Sequence, residues 1–194
     1  MPSPAFAVFQ RLEAQVHTIR QVAARELAAG SGTAPVLYRS CIVLMVAAFD
    51  AYVHEQGVRL LQLRAAASPL AAEEVVSYLK GLTATQLAGP QASGLIRYRL
   101  SYKTLAAPDR IDELLLAAGL DPVAIWLAVS VALGSRPDRQ RPQLQLQYDR
   151  RNQIAHEGDW DPVALELRAI EDAHVADCVK CIVDLVAQLD VALP

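Results

Sequence analysis

Leu37, Cys41, Leu44, Ala48 and Tyr52 follow one another at steps of three or four residues. That spacing draws one apolar stripe on an α-helix, which turns once every ~3.6 residues, and it does not suit the two-residue alternation of a strand. The stripe lies behind the start signal Thr33-Ala34-Pro35 and predicts a long helix to about Ala67. The same punctuation recurs along the chain. Ser3-Pro4 reads as an N-cap followed by a proline in the first helical turn, and starts a helix to about Ala29 that Gly30-Ser31-Gly32 ends. Ser68-Pro69 starts another, to about Lys80, with Gly81 as its C-cap. Thr83 and Gln86 form a small capping box. Asp109 with Asp112 opens a helix to about Ala118, ended by Gly119, and Asp121-Pro122 opens the next, to about Leu133. After the polar connection GSRPDRQRP (residues 134–142), a helix is predicted from Gln143 to His156, with Gly158 as its stop. Asp161-Pro162 is predicted to start the last helix, which runs to about Ala192 on the stripe Leu167, Ile170, His174, Cys178, Cys181, Leu185 and Leu189.

Residues 88–103 are the exception. Ile96, Tyr98, Leu100 and Tyr102 alternate with Arg97, Arg99, Ser101 and Lys103, which argues for an extended segment. A lone strand has nothing to pair with, so the segment reads as a loop or as a helix with a misleading pattern. No repeat or linker divides the chain. The expectation is a single all-α domain over residues 1–194, with a long second helix, a long C-terminal helix and short middle helices.

Composition narrows the function. The chain is 53% hydrophobic, which suits a packed core. Its formal charge is −3, so no global basic field draws nucleic acid, and any such contact must come from a local patch. Cys41, Cys178 and Cys181 sit in apolar runs with no disulfide framework. The first residues lack the basic-then-apolar order of a signal peptide. The run Cys41–Phe49 is far short of the ~20 apolar residues that span a bilayer. A cytoplasmic protein without a membrane partner is expected.

The run RRNQIAHEGDWDP, residues 150–162, carries the chemistry. Arg151 is permanently cationic and forks onto phosphate oxygens. His156 is the side-chain type that exchanges protons near neutrality. Five residues along a helix advance about 7.5 Å and turn about 140°, so the two are near each other without sharing a narrow face. Asn152 and His156, four apart, do share one. The bland reading is a helix end finished with cations, where they belong anyway.

This run resembles the Arg-x4-His signature of the HEPN superfamily, and in particular its RiboL-PSP-HEPN group of predicted ribonuclease toxins. LYRSCIVLMVAAFDAYVHE, residues 37–55, is similar to that group's second helix, and LSYKTLAAPDRIDELLLAAGLDP, residues 100–122, to its middle region. The resemblance implies a HEPN-like helical bundle that forms a homodimer, so that two motifs meet in one cleft. It also implies RNA cleavage without metal or cofactor, and a toxin or defence setting in which an antitoxin protein is a partner. Carried over by position, Arg151, Asn152 and His156 take the motif places and Asp50 the acidic place on the second helix. A related branch has a modifiable tyrosine two residues after the histidine; here that place is Gly158. The alternative is a non-catalytic module of the same fold that binds RNA or nucleotide, or dimerises.

Secondary candidates are weaker. From Arg136 to Arg151 five arginines face two aspartates, and Arg150 and Arg139 are RNA-binding candidates from that stretch. Arg97, Arg99 and Lys103 with Tyr98 and Tyr102 mix cations and rings as single-strand binders do, Lys103 being the third RNA-binding candidate, although half-buried packing is the plainer expectation. His54, four after Asp50, reads as a surface pair, and His17 as exposed. Cys178 and Cys181 with His174 read as core rather than a metal site.

Overall fold

The computed structural model describes residues 2–194. Among them nine helices dominate: α1 (Pro4–Ala28), α2 (Ala34–Ala67), α3 (Pro69–Leu79), α4 (Ala84–Ala88), α5 (Ala92–Leu100), α6 (Pro108–Ala117), α7 (Pro122–Ala132), α8 (Gln140–Glu157) and α9 (Asp172–Ala192). A two-residue antiparallel pair, β1 (Trp160–Asp161) with β2 (Glu166–Leu167), lies between α8 and α9. The protein is all-α apart from this hairpin.

Four of the start signals act as read. Ser3 and Ser68 accept from the backbone N–H of Phe6 and Ala71, and Thr83 and Gln86 close a reciprocal box. Asp121 accepts from Val123 N–H ahead of Pro122.

α2 is the axis of the fold, about 50 Å long at 1.5 Å per residue. It is long and apolar enough to cross a membrane, yet half of its most apolar window is buried within the protein. It packs against α1, α3, α4, α5, α6, α8 and α9. The inward stripe is broader than the sequence suggests: Tyr38, Ile42, Met45, Phe49 and Tyr52 are buried, while Leu44 is exposed. Gly57 marks a close approach, because a Cβ there would meet the side chains of Leu114 and Leu100 at 3.1–3.2 Å, so α5 and α6 press directly on α2. Polar links join distant parts of the chain. Arg20 on α1 forks onto Asp172 at the start of α9 with both bonds at 2.6 Å. Gln56 of α2 donates to Asp190 of α9 at 2.8 Å, and Asp190 also holds Ser3.

Residues 92–100 are a helix, one of the two readings left open for this segment. Two expectations are corrected. Ile96 and Leu100 are four apart and buried; Tyr98 and Tyr102, also four apart, are 59% and 69% exposed rather than half-buried. Two interleaved four-residue steps imitate alternation. The last helix starts at Asp172, not at Asp161-Pro162. The Asp161 carboxylate accepts from Val163 and Ala164 N–H, closing a turn instead of a helix cap, and these bonds hold it below the usual carboxylate range. Leu167 is therefore an exposed strand residue, and Ile170 is buried ahead of the helix.

Candidate active site at the end of α8

α8 ends where predicted. Gly158 takes φ +64° and Asp159 φ +61°, two successive left-handed residues. Glycine adopts this freely and aspartate tolerates it. Asp159 N–H reaches back six positions to Gln153 O at 3.0 Å and satisfies one of the free carbonyls of the helix end.

The stop is anchored by Asp159, whose side chain is fully buried. Its carboxylate accepts from Arg39 Nε of α2 at 2.6 Å and from both terminal nitrogens of Arg150, Nη2 at 3.0 Å. Arg39 also donates to Arg168 O at 2.7 Å, and Arg168 N–H donates to Asp159 O at 2.9 Å. The turn after His156 is thus tied to α2 and to the strand leading to α9. Arg150, an expected RNA contact, is paired with Asp159 in this anchor. Sequence reasoning left Asp159 and Arg39 without roles. The legible signals were an acid placed just after a helix-stopping glycine, and an arginine interrupting the apolar run of α2.

Arg151 and His156 stand apart from the anchor. Arg151 is half-buried, and its one side-chain partner among the described residues is the neighbouring Asn152, whose Oδ1 accepts from Nη1 at 2.9 Å. Its Nε is buried with no acceptor, and no carboxylate pairs with it among the described residues. His156 is exposed on the last turn of α8, with no hydrogen-bonded partner among the described residues. Asn152 therefore bonds to Arg151 rather than to His156. The arrangement offers a guanidinium with uncompensated charge and a free imidazole, on a helix end that cannot shift without breaking a buried ion pair.

The other candidates lie elsewhere. Asp50 accepts from Leu105 N–H at 2.6 Å and sits 3.4 Å from His54 Nδ1. His54 in turn meets Asp50 O at 2.8 Å and the carbonyls of Leu100 and Lys103 at 3.1 Å. Every one of these partners is an oxygen, so the ring serves as a two-ended donor when protonated. Asp50 and His54 form a latch on residues 100–105; no bond joins them to the motif. Arg139 is exposed at the start of α8, about 25 Å along the helix from His156. Lys103 lies after α5, with Nζ 4.3 Å from the Tyr78 ring centroid. Of the five arginines from 136 to 151, Arg136 pairs with Asp138, Arg141 with Asp109 and Asp112, and Arg150 with Asp159. Among the described residues only Arg139 and Arg151 of the five have no carboxylate partner, so the expected basic track shrinks to two points about 18 Å apart.

His17 is exposed beside Glu13. His174 is exposed rather than part of the core stripe, and its Nδ1 accepts from Glu171 N–H at the start of α9. Cys178 is buried, and burial pushes its thiol up to about 12. Among the described residues no three His, Cys, Asp or Glu side chains converge as a metal site. No protein-family model, curated protein or solved structure matches the chain significantly.

Proposed function

We propose that the protein is a metal-independent endoribonuclease of the HEPN type, acting as a homodimer and serving as the toxin of a toxin–antitoxin or defence pair. One observation carries this reading: beside a helix end where Arg39 and Arg150 are neutralised by Asp159, Arg151 keeps its charge and His156 keeps its ring free. In the proposed reaction the RNA 2′-hydroxyl attacks the adjacent phosphorus, and the 5′-oxygen of the next nucleotide leaves, which yields a cyclic phosphate. DNA lacks that nucleophile. Arg151 holds the charge developing on the phosphorane. His156 removes or supplies a proton, a contribution of roughly 10²–10⁴-fold.

A single imidazole cannot be acid and base in one step. His17, His54 and His174 are engaged elsewhere, so a second copy of His156 is the natural complement. Trp160, Val163, Leu165 and Leu167 expose apolar surface on the hairpin that follows His156, which suits self-association there. Inducing the wild type and His156→Ala side by side tests the reading. Wild type should arrest growth and fragment cellular RNA while the variant does neither; equal growth of both contradicts it.

A second reading rests on Asp50. The acidic place expected at the site is committed to Leu105 and His54 instead. That favours a module that binds RNA or nucleotide without cutting it. RNA binding by both proteins with cleavage by neither would select it.

A further inference from the structure

A second charged site lies where α3 and α5 end. An open pocket of about 310 Å³ is lined by Tyr78, Leu79, Lys80, Arg99, Tyr102 and Lys103. Two of the chain's three lysines stand here, in a sequence otherwise supplied with arginine. None of the three cations pairs with a carboxylate among the described residues, whereas the nearby cations do: Arg97 with Glu55 at 2.6 Å, Arg64 with Glu74 at 2.5 Å, and Arg110 with Glu113 at 2.8 Å. Glu113, the acid that bears on Tyr78, is thereby already spent on Arg110.

The cations are held without being neutralised. Arg99 Nε donates to Leu79 O at 3.3 Å, and its guanidinium covers Gly81, where a Cβ would meet Nη2 at 3.2 Å. Lys103 Nζ rests over the Tyr78 ring. Burial pushes the Tyr78 phenol up to about 12, so that ring adds no negative charge near neutrality. The Asp50–His54 latch fixes the backbone that presents Lys103. Lys80 has φ +54°, a conformation costly for any residue with a Cβ. Above the pocket Tyr98 and Tyr102 form an edge-to-face pair at 5.2 Å, both exposed, with Tyr102 on the rim.

Cations also gather at helix C-termini for their own sake, so charge decides. Two helix ends supply about −0.5 each, roughly −1 together. Three cations leave a surplus of about two positive charges. A phosphate monoester carries about −1.5 to −2 at pH 7, and a diester only one negative charge.

We propose that this pocket binds the terminal phosphate of a nucleotide, with the base stacked on Tyr102. The ligand is a free nucleoside monophosphate or the phosphorylated end of an RNA strand. The site does not depend on cleavage at His156. It places Lys80, Arg99 and Lys103 on the phosphate oxygens and leaves the base unread, since aromatic stacking accepts any base.

Calorimetry on the full chain tests this with AMP, adenosine, inorganic phosphate, and short oligoadenylates with and without a 5′-phosphate. Carrying His156→Ala in the oligonucleotide arm keeps the RNA whole. AMP and the phosphorylated oligomer should bind at least about tenfold more tightly than adenosine and the hydroxyl-ended oligomer, as charge-assisted bonds require. Tighter binding of the oligomer than of AMP assigns the site to RNA ends; the reverse assigns it to free nucleotide. Lys80→Gly supplies a second readout with opposed signs. It relieves the positive φ, so the melting temperature should hold or rise, while AMP binding weakens about tenfold. Equal binding of AMP and adenosine, or unchanged AMP affinity in Lys80→Gly, overturns the proposal. Inorganic phosphate binding as tightly as AMP overturns the stacking role of Tyr102.

Discussion

At the end of α8 four arginines surround one helix turn, and three are matched by carboxylates: Arg39 and Arg150 by Asp159, and Arg168 by Glu157 at 3.5 Å. Where α3 and α5 end, Lys80, Arg99 and Lys103 line one pocket, and none is matched by a carboxylate among the described residues. The first region invests its charge in fixing a backbone turn and leaves one guanidinium and one imidazole over. The second fixes its backbone through Asp50 and His54 and leaves all its cations over, and its histidine is already bonded to the Leu100 and Lys103 carbonyls. On the two proposals the difference separates chemistry from capture: among the described residues only the α8 end has a histidine without a bonded partner, and only the α5 end has three cations without a carboxylate.

Breaking the anchor should have the largest effect. Asp159→Ala strands Arg39 and Arg150, both largely buried, and loss of one partner from a buried pair costs about 3–5 kcal/mol. For a chain of this size that lowers the melting temperature by roughly 6–20 °C. Cleavage should disappear with it, because His156 loses its fixed helix end. Calorimetric melting with a cleavage assay below the lowered transition checks both.

Neighbouring arginines give the sharper comparison. Arg151→Ala should lower RNA cleavage by about 10²-fold or more. It also removes a buried unpaired N–H, so stability should hold or rise slightly. Arg150→Ala should do the reverse, lowering the melting temperature through Asp159 while cleavage per folded molecule stays close to wild type. The same effect from both would erase the distinction between anchor and site.

Asp50→Ala sits between the two regions. It leaves Leu105 N–H without its acceptor, a loss of about 1–3 kcal/mol. If the latch is its whole role, AMP binding falls as Lys103 loosens, and RNA cleavage per folded molecule is kept. Loss of cleavage at unchanged stability would return Asp50 to the catalytic set. The smallest effect concerns Cys178. Its raised pKa keeps the thiol protonated at pH 8, so a thiol reagent should label it only after denaturation. Prompt labelling of the native protein at Cys178 would show that this part of α9 opens to solvent.

The helices were legible because their signals are local. Ser3-Pro4, Ser68-Pro69, the Thr83–Gln86 box and Gly158 each act within a few residues, and the structure uses them as read. The failures came where tertiary bonds outrank local ones. Asp161-Pro162 carries the same signal as Asp121-Pro122, but Asp159 is already bound to Arg39, Arg150 and the Arg168 backbone, and that tether folds the following residues into a hairpin. At the proposed site, sequence could single out the motif but could not tell the paired Arg150 from the unpaired Arg151. That difference depends on Asp159 turning inward at positive φ to meet an arginine 120 residues earlier in the chain. The bond that Asp50 makes was hidden for the same reason, since its partner is a backbone N–H 55 residues away.

The most direct test of the central claim is single-turnover cleavage of a labelled RNA in excess chelator, with the ends of the products identified. The account predicts fragments with cyclic phosphate ends from the wild type, and from His156→Ala a rate lower by about 10²–10⁴-fold with the same melting temperature. Cleavage that survives in His156→Ala, or that stops in chelator, would contradict it.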